Sequence, residues 1–283
     1  MPEKKLSVVV VCITPFKEDG GLHEEYFRRQ LRRLGEAGVS VYVGGSGSGE
    51  GYTLSEAELK RLLAITVEEL KGKVQTRAMG GEPRTIDEMV NFIRIAQKSG
   101  VDAAQIFSLE IGHNIHPSYD ELKQYYQTVL DKTEDIPIYL SSHMASGYLL
   151  PLDLVEHLVD RNPRIVGISY GAMDTPYLAE LIRRVGDRIE VHCAGPNAGL
   201  AVLGLGGNGF MGAEGNLSPW MVQSVIDAYK ARDLEKVRST FDRLMAFESL
   251  FVKYGGGHTM RGMKPLMNAF GLPGGSLRPP RIA

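Results

Sequence analysis

The chain has 283 residues, of which 32 are lysine or arginine and 34 are aspartate or glutamate, so its formal net charge is −2. The length fits one large domain or two ordinary ones, and a hydrophobic fraction of 43% excludes a disordered chain. The near-neutral charge gives no indication of a basic surface that would bind nucleic acid or a membrane. Glycine, with 33 residues, exceeds its usual share of roughly 7%, which indicates many turns or close backbone contacts.

The cysteines and the N-terminus bear on the cellular compartment. Cys12 and Cys193 lie far apart in apolar runs, a pattern that predicts buried thiols rather than a disulfide or a metal pair. The first apolar run is too short for a signal peptide and lacks a cleavage site. No stretch approaches the roughly 18 apolar residues of a membrane span. We therefore expect a cytoplasmic protein with no membrane partner.

Short apolar segments bounded by glycine alternate with amphipathic helices along the first 220 residues. Eight segments are predicted as strands: Leu6–Ile13, Val39–Gly44, Val74–Met79, Ala103–Phe107, Ile136–Ser141, Ile165–Ser169, Ile189–Cys193 and Gly209–Ala213. Helix starts are predicted by three capping boxes, in which two residues satisfy each other's backbone amides, and by one serine–proline pair: Ser55-x-x-Glu58, Thr85-x-x-Glu88, Ser118-x-x-Glu121 and Ser218-Pro219. After Trp220 only helices follow, predicted at Met221–Ala231, Leu234–Tyr254 and Thr259–Phe270, before an extended tail.

Eight β/α units in about 220 residues favour an α/β fold of the (β/α)8 TIM barrel type. We predict the barrel over residues 1–220 and a C-terminal helical appendage over residues 221–283 that packs on it. A doubly wound parallel sheet is the alternative, because near-continuous apolar strands suit any parallel sheet that is covered on both faces.

In a (β/α)8 barrel, chemistry sits where strands run into the following loops. The loop Gly44–Glu50, which reads Gly-Gly-Ser-Gly-Ser-Gly-Glu, follows the second strand directly. Its free amides and hydroxyls would suit an anion or a carboxylate. It matches neither the dinucleotide-binding pattern nor the P-loop with its lysine. The alternative is a tight turn in which bulky side chains do not fit.

A second feature matches the G-x-S-x-G nucleophile elbow of serine hydrolases. It reads Gly167-Ile-Ser-Tyr-Gly171 and follows a predicted strand. Asp187 with His192 or His258 would complete a triad in the required order. No HGGG-type oxyanion loop is present, and a serine that simply fills a strand is the alternative.

Imidazoles and carboxylates are scattered over the predicted strand ends. They are Glu110, His113, His116, His143, His192 and Glu214. Together they would suit a divalent metal, but the helical spacings of known zinc motifs are missing. Local hydrogen bonding and direct acid–base roles are the alternatives.

At several points along its whole length the chain resembles the dihydrodipicolinate synthase / N-acetylneuraminate lyase family. The segments that carry the resemblance include Thr14-Pro-Phe, Gly45-Ser-Gly-Ser-Gly-Glu50, Gly100-Val-Asp-Ala, Pro117-Ser-x-x-Glu121, Gly206-Gly-Asn-Gly209, Lys264-Pro-Leu and Arg278-Pro-Pro. The resemblance implies a (β/α)8 barrel with C-terminal helices, a homotetramer or homodimer, and a lyase that handles 2-oxo acids through a lysine Schiff base.

The departures from that family concern the residues that would react. Its lysine follows Gly-Ile on the sixth strand, where this chain has Ser169, and a hydroxyl cannot form an imine with a ketone. Its Tyr-Asn pair on the fifth strand corresponds to Ser141-Ser142, and its threonine pair to Gly47-Ser48. This combined change predicts a repurposed site.

We therefore predict a lyase-family enzyme without a cofactor or metal that acts on a small carboxylate by non-covalent acid–base chemistry, such as hydration, dehydration or aldol-type cleavage. The predicted catalytic residues are Ser141, His143, Ser169, Tyr170, His192 and Glu214. The predicted substrate-binding residues are Ser46, Gly47, Ser48, Gly49 and Met211. The alternatives are a non-catalytic ligand-binding or regulatory homologue, a metal-dependent aldolase or hydratase, and a serine hydrolase that uses Ser169.

Overall fold

The computed structural model describes residues 4–113, 115–255 and 259–282. Its eight strands are β1 (Ser7–Val11), β2 (Ser40–Val43), β3 (Thr76–Ala78), β4 (Ala103–Ile106), β5 (Ile138–His143), β6 (Ile165–Gly171), β7 (Glu190–Ala194) and β8 (Gly209–Gly212). They are joined in chain order into a closed barrel. Pairing is parallel, with Val10 opposite Val41 in β1 and β2 and Gln105 opposite Tyr139 in β4 and β5. The predicted (β/α)8 barrel and its eight strands are confirmed.

The helices follow the strands as predicted, and the last three of them come one after another beyond the eighth strand. They are α1 (Glu24–Glu36), α2 (Glu56–Leu70), α3 (Ile86–Ser99), α4 (Tyr119–Asp131), α5 (Leu152–Arg161), α6 (Thr175–Val185), α7 (Gly199–Gly204), α8 (Pro219–Lys230), α9 (Leu234–Tyr254) and α10 (Thr259–Ala269). Among the described residues, no helix combines the length and the apolarity that a bilayer crossing requires.

Helix caps show where local sequence fixes the structure. Ser55 and Ser118 form complete capping boxes at α2 and α4. At α3 the predicted box is only half formed, because Thr85 accepts from the Glu88 amide while the Glu88 carboxylate accepts from the Arg84 amide. Ser218 precedes Pro219 at the start of α8, as predicted, but its side chain makes no capping bond. Two of the three predicted boxes are therefore complete.

Contacts divide the chain into two compact units. The central unit is built around Ala78–Phe210, and the terminal unit around Leu6–Arg77 with Met211–Ala283. In the central unit, α3 to α6 each bury one apolar face. In the terminal unit, Ile13 and Leu217 pack with Phe251 of α9 and Met263 of α10 in one apolar cluster. The boundary that we predict at residue 220 stays a prediction.

Both cysteines are buried and free, as predicted. Burial raises the pKa of Cys193 to about 12 and raises that of Cys12 as well. Because the thiolate is the reactive form, these thiols are expected to be inert.

Candidate active site

Three polar side chains lie side by side on the strands of the central unit. Backbone pairing places Ser141 opposite Ser169, and Ser169 opposite His192. Each is no more than 2% exposed. Paired residues on neighbouring strands point to the same face of a sheet, so these three form one row, here called the Ser141–Ser169–His192 row. It brings together three of the predicted catalytic residues.

The contacts of the alternate residues show which face this row occupies. The Ser142 hydroxyl lies 2.9 Å from the Tyr177 hydroxyl on α6, and the Tyr170 ring stacks on Tyr177 with 5.6 Å between centroids. Ser142 and Tyr170 therefore face the helices. Because side chains alternate along a strand, the row points to the opposite, inner face of the sheet.

Tyr170 does not belong with the other predicted catalytic residues. Its hydroxyl donates to the Asp174 carbonyl at 2.7 Å and accepts from the Asp174 amide at 2.6 Å. Both bonds fix the turn between β6 and α6 on the helix side. Tyr170 lies one residue after Ser169, and that single step turns its side chain to the other face. The structure therefore does not support the predicted role of Tyr170 as a proton carrier.

His143 lies at the end of β5, two residues beyond Ser141 and on the same face. Its Nδ1 accepts a hydrogen bond from the Ala145 amide at 2.9 Å. Its ring lies against Gly171, where a β-carbon would overlap it. Burial lowers the pKa of His143, although Glu82 opposes the effect. A neutral ring whose Nδ1 accepts must carry its proton on Nε2, so His143 is arranged as a hydrogen-bond donor.

The inner face also carries polar residues that the sequence analysis missed. The Tyr139 hydroxyl donates to Glu190 Oε2 at 2.8 Å. The Gln105 amide, on β4, is buried, and both of its polar atoms lack a partner within the described structure. Tyr139 precedes Ser141 by two residues, and Glu190 precedes His192 by two. Reading each strand with a period of two from the predicted site residues would have found both.

The glycine-rich loop of the terminal unit is held by its own backbone. The Gly51 amide donates to the Gly45 carbonyl at 3.0 Å, and the Thr14 hydroxyl donates to the Gly49 carbonyl at 2.7 Å. A β-carbon at Gly49 would lie 2.8 Å from the Gly45 oxygen, and one at Gly51 would overlap the Gly44 carbonyl. Close backbone packing therefore explains these glycines, which supports the tight-turn interpretation.

The predicted substrate-binding residues differ in accessibility. Gly47 is exposed and Ser48 is buried. Among the described atoms the Ser46 hydroxyl has no partner although it is buried. Met211 is buried in β8. Their predicted role in binding a carboxylate stays a prediction.

Replacing Gly51 with alanine is expected to lower the free energy of unfolding by about 3 kcal/mol, because the loop backbone must move to admit the new methyl group. Gly47→Ala is the matched control, since nothing lies within 4 Å of its β-carbon position, and it should change stability by less than about 1 kcal/mol. Urea unfolding followed by circular dichroism measures both. Equal stabilities would show that the backbone at residue 51 has room for a side chain.

A buried ion pair closes this loop against the C-terminal residues. Lys264 Nζ donates to Glu50 Oε1, to the Thr14 carbonyl at 2.7 Å and to the Ser276 carbonyl at 2.9 Å. Both charged side chains are at most 1% exposed. Burial lowers the pKa of Lys264, and Glu50 opposes this. All three ammonium protons have acceptors, so Lys264 stabilises the contact between this loop and the C-terminal residues. It is not placed as a free amine.

Glu214 follows β8 in the terminal unit and is 4% exposed. Its carboxylate lies against the α-carbon of Gly212, and its Oε2 lacks a partner within the described structure. Burial first, with a contribution from Glu248 on α9, raises its pKa from 4.5 to about 7. A carboxyl group with this pKa is suited to exchange a proton near neutral pH.

The histidines and carboxylates of the metal hypothesis do not converge. His113 and His116 are exposed on the loop after β4, and the His116 ring is 5.8 Å from that of Tyr148. In the part of the chain that the structure describes, no three histidine, cysteine or acidic side chains come together as a metal site.

Comparison with known proteins identifies the family. A model described as the Dihydrodipicolinate synthetase family matches residues 4–283. The chain belongs to this family.

Two relatives and one solved structure illustrate the match. A 4-hydroxy-tetrahydrodipicolinate synthase of Methanopyrus kandleri is 28% identical over 97% of this chain and 88% of its own length. An N-acetylneuraminate lyase of Salmonella paratyphi B is 26% identical over 92% and 85%. The structure of the 4-hydroxy-tetrahydrodipicolinate synthase from Methylacidiphilum fumariolicum SolV has a TM-score of 0.88 at 22% identity, over 98% of this chain and 90% of that one. At that identity the structural match shows the fold alone.

The geometry of this dihydrodipicolinate synthetase family member does not favour the serine hydrolase alternative. Ser169 lies inside β6, which continues to Gly171, whereas a nucleophile elbow needs a sharp turn at the serine. Asp187 precedes β7, at the opposite end of the sheet from Ser169, and its side chain is 82% exposed. His258 lies outside the described residues.

Proposed function

We propose that this protein is a lyase that acts on a small carboxylate of the 2-oxo acid type by proton transfer, without an imine to lysine. The proposal rests on Ser169, which occupies the position on β6 where the family resemblance implies the reacting lysine. Instead of an amine, the inner face there carries two hydroxyls and an imidazole, in the Ser141–Ser169–His192 row.

The buried lysine of the described chain does not supply the missing amine. Among the described residues, Lys264 is the one buried lysine, and it already serves three acceptors, including the Glu50 carboxylate. An amine must lose its proton before it can attack a ketone. Attack by Lys264 would also break its hydrogen bonds to Glu50, Thr14 and Ser276, so Lys264 is a poor substitute.

The row supports a non-covalent reaction at a carbonyl. Ser141 and Ser169 can donate hydrogen bonds to a carbonyl oxygen while negative charge develops on it, as in an oxyanion hole. His192 can remove the proton from the carbon next to the carbonyl, and His143 can donate through Nε2 to a leaving hydroxyl. In a dehydration, that hydroxyl leaves as water and the two carbons form a double bond.

Two relatives support a carboxylate substrate. One is named an N-acetylneuraminate lyase and the other a 4-hydroxy-tetrahydrodipicolinate synthase, and both names describe carboxylates. For this chain the carboxylate is part of the proposal.

Reduction by borohydride in the presence of pyruvate tests the absence of an imine. We expect the intact mass of the wild-type protein to stay unchanged, because no described lysine is placed to react. Ser169→Lys should acquire one covalent adduct on the new lysine, located by peptide mapping. Ser169→Ala and omission of pyruvate are the controls. An adduct on the wild-type chain would overturn the proposal.

Exchange of the pyruvate methyl protons in deuterated water, followed by proton NMR, tests for proton transfer directly. We expect the wild-type protein to accelerate exchange and His192→Gln to lower that acceleration by about 100-fold or more, the usual contribution of a general base. No acceleration by the wild-type protein would favour the non-catalytic ligand-binding alternative. Loss of exchange on addition of a chelator would favour the metal-dependent one.

A further inference from the structure

Arg281, near the end of the chain, contacts the glycine-rich loop that follows β2. Its Nη1 donates to the Gly47 carbonyl at 3.3 Å, and its guanidinium carbon lies 4.7 Å from the centre of the Tyr52 ring. The Arg281 amide donates to the Arg278 carbonyl at 3.1 Å, which fixes the backbone in a turn. A hydrogen bond and a cation–π contact therefore hold the guanidinium against the loop.

The charge of Arg281 differs from those of Lys264 and Arg278, the other two cations that link the C-terminal residues to the rest of the terminal unit. Lys264 pairs with Glu50, and Arg278 pairs with Glu58 at 2.6 Å. Among the described residues, Arg281 contacts an uncharged carbonyl and a ring but no carboxylate. A guanidinium has five N–H donors and stays charged, so Arg281 has both the charge and the donors to bind an anion.

The loop has hydrogen-bond donors that the folded chain leaves unused. In the described structure, the backbone amides of residues 46–49 donate to no backbone carbonyl. The Ser46 hydroxyl is buried and lacks a partner among the described atoms, and Ser48 is only 8% exposed. Successive free amides form a concavity that suits an anion, and a buried polar group without a partner is costly. The loop and Arg281 therefore lack the same kind of partner.

The backbone around Gly47 leaves room for a ligand. Gly47 is exposed, and nothing lies within 4 Å of the position that a β-carbon would take there. At Gly49 and Gly51, by contrast, a β-carbon would meet the backbone of the loop itself. The loop is therefore tightly packed at its C-terminal end and open at the residue that Arg281 contacts.

We propose that Arg281 binds the carboxylate of the substrate together with residues 46–49, and that it selects acidic over neutral substrates. The sequence analysis assigned this role to the loop alone, because Arg281 lies 234 residues beyond Gly47 in the chain. The guanidinium presents a planar pair of N–H donors that matches the two oxygens of a carboxylate, and the loop adds amide and hydroxyl donors. That the anion is the substrate rests on the proposed function, whereas the unpaired charge beside free donors does not.

Calorimetric titration with pyruvate and with methyl pyruvate, its uncharged ester, at one fixed ionic strength tests the proposal. We expect the wild-type protein to bind pyruvate more tightly than the ester. Arg281→Met should weaken pyruvate binding by about tenfold or more, the usual contribution of a hydrogen bond to a charged group, and leave the ester titration unchanged. Arg281→Lys, which keeps the charge but loses the planar pair of donors, should have an intermediate affinity for pyruvate.

Arg238→Met is the control, because it removes the same charge from a side chain of α9 that is 85% exposed, and it should leave both titrations unchanged. Urea unfolding shows whether Arg281 only fastens the C-terminal residues, in which case Arg281→Met lowers stability but not the preference for pyruvate. Unchanged pyruvate affinity in Arg281→Met, an equal loss for the ester, or no pyruvate binding by the wild-type protein would overturn the proposal. A borohydride adduct on the wild-type chain would overturn the proposed function but leave the difference between the two titrations as expected.

Discussion

Replacing Lys264 with methionine is expected to lower the free energy of unfolding by about 3–5 kcal/mol, the usual cost of leaving a buried charge without its partner. The substitution removes three hydrogen bonds at once and leaves the Glu50 carboxylate, which is 0% exposed, with the Arg278 amide at 3.2 Å as its remaining described donor. Urea unfolding at neutral pH measures the change.

The effect should be much larger than that of the same substitution at the surface. Lys60→Met is the matched control, because Lys60 also pairs with a glutamate, Glu56, but both side chains are more than half exposed. Exposed pairs of this kind contribute about 0–1 kcal/mol. Lys264→Met combined with Glu50→Gln should be more stable than Lys264→Met alone, since the stranded charge is removed as well. A loss below about 1 kcal/mol in Lys264→Met would contradict the structural role.

The burial of Lys264 could not be predicted from the residues around it. It is a lysine near the end of the chain, followed by Pro265 within α10, and nothing beside it indicates burial. Its partners Thr14 and Glu50 lie more than 200 residues away. Pairings over such separations depend on the completed fold, whereas local patterns describe only single elements.

The fold was the most predictable part of the molecule. Apolar segments of five to eight residues between glycines, each followed by an amphipathic helix, were sufficient to predict eight parallel strands. Local sequence was also sufficient to predict the complete capping boxes at Ser55 and Ser118. It failed in part at Thr85, because the Glu88 carboxylate accepts from the Arg84 amide instead of the Thr85 amide. Competition between two adjacent donors is not visible in a four-residue pattern.

The candidate site was predictable in type but not in orientation. Strand ends indicated Ser141, Ser169 and His192, which the structure places in one row. The same rule also indicated Tyr170, because a list of strand-end residues ignores the alternation of faces. Alternation places Ser169 and Tyr170 on opposite faces of β6, but the predicted strand starts do not show which face is the inner one, since an error of one residue reverses every side chain. The contacts of Tyr170 with Tyr177 and Asp174 decide the face.

A second large effect is expected from Glu214, whose burial should make the protein less stable as the pH rises from about 4.5 to 7. In the folded chain its pKa is raised from 4.5 to about 7, so within this window the folded state holds a proton that the unfolded state has released. The stabilising contribution of protonated Glu214 is therefore fully present below about pH 4.5 and is lost as the pH rises through about 7. A shift of this size corresponds to a loss of about 3 kcal/mol.

Glu214→Gln should remove this pH dependence, because the amide has nearly the same shape and does not titrate. The variant should exceed the wild-type protein in stability at pH 8 by up to about 3 kcal/mol, and the difference should shrink as the pH falls. Taking the difference between the two proteins cancels the contribution of other groups, including His143.

Urea unfolding at several pH values from about 4.5 to 8 measures this difference. Glu248→Gln should weaken the pH dependence without abolishing it, since Glu248 contributes to the raised pKa of Glu214 after burial. Glu18→Gln, an exposed site, should leave the wild-type curve unchanged. Parallel curves for Glu214→Gln and the wild-type protein would mean that Glu214 loses its proton at the same pH in the folded and unfolded chain. In that case Glu214 could not hold a proton at neutral pH, and its predicted role as a proton carrier would have to be abandoned.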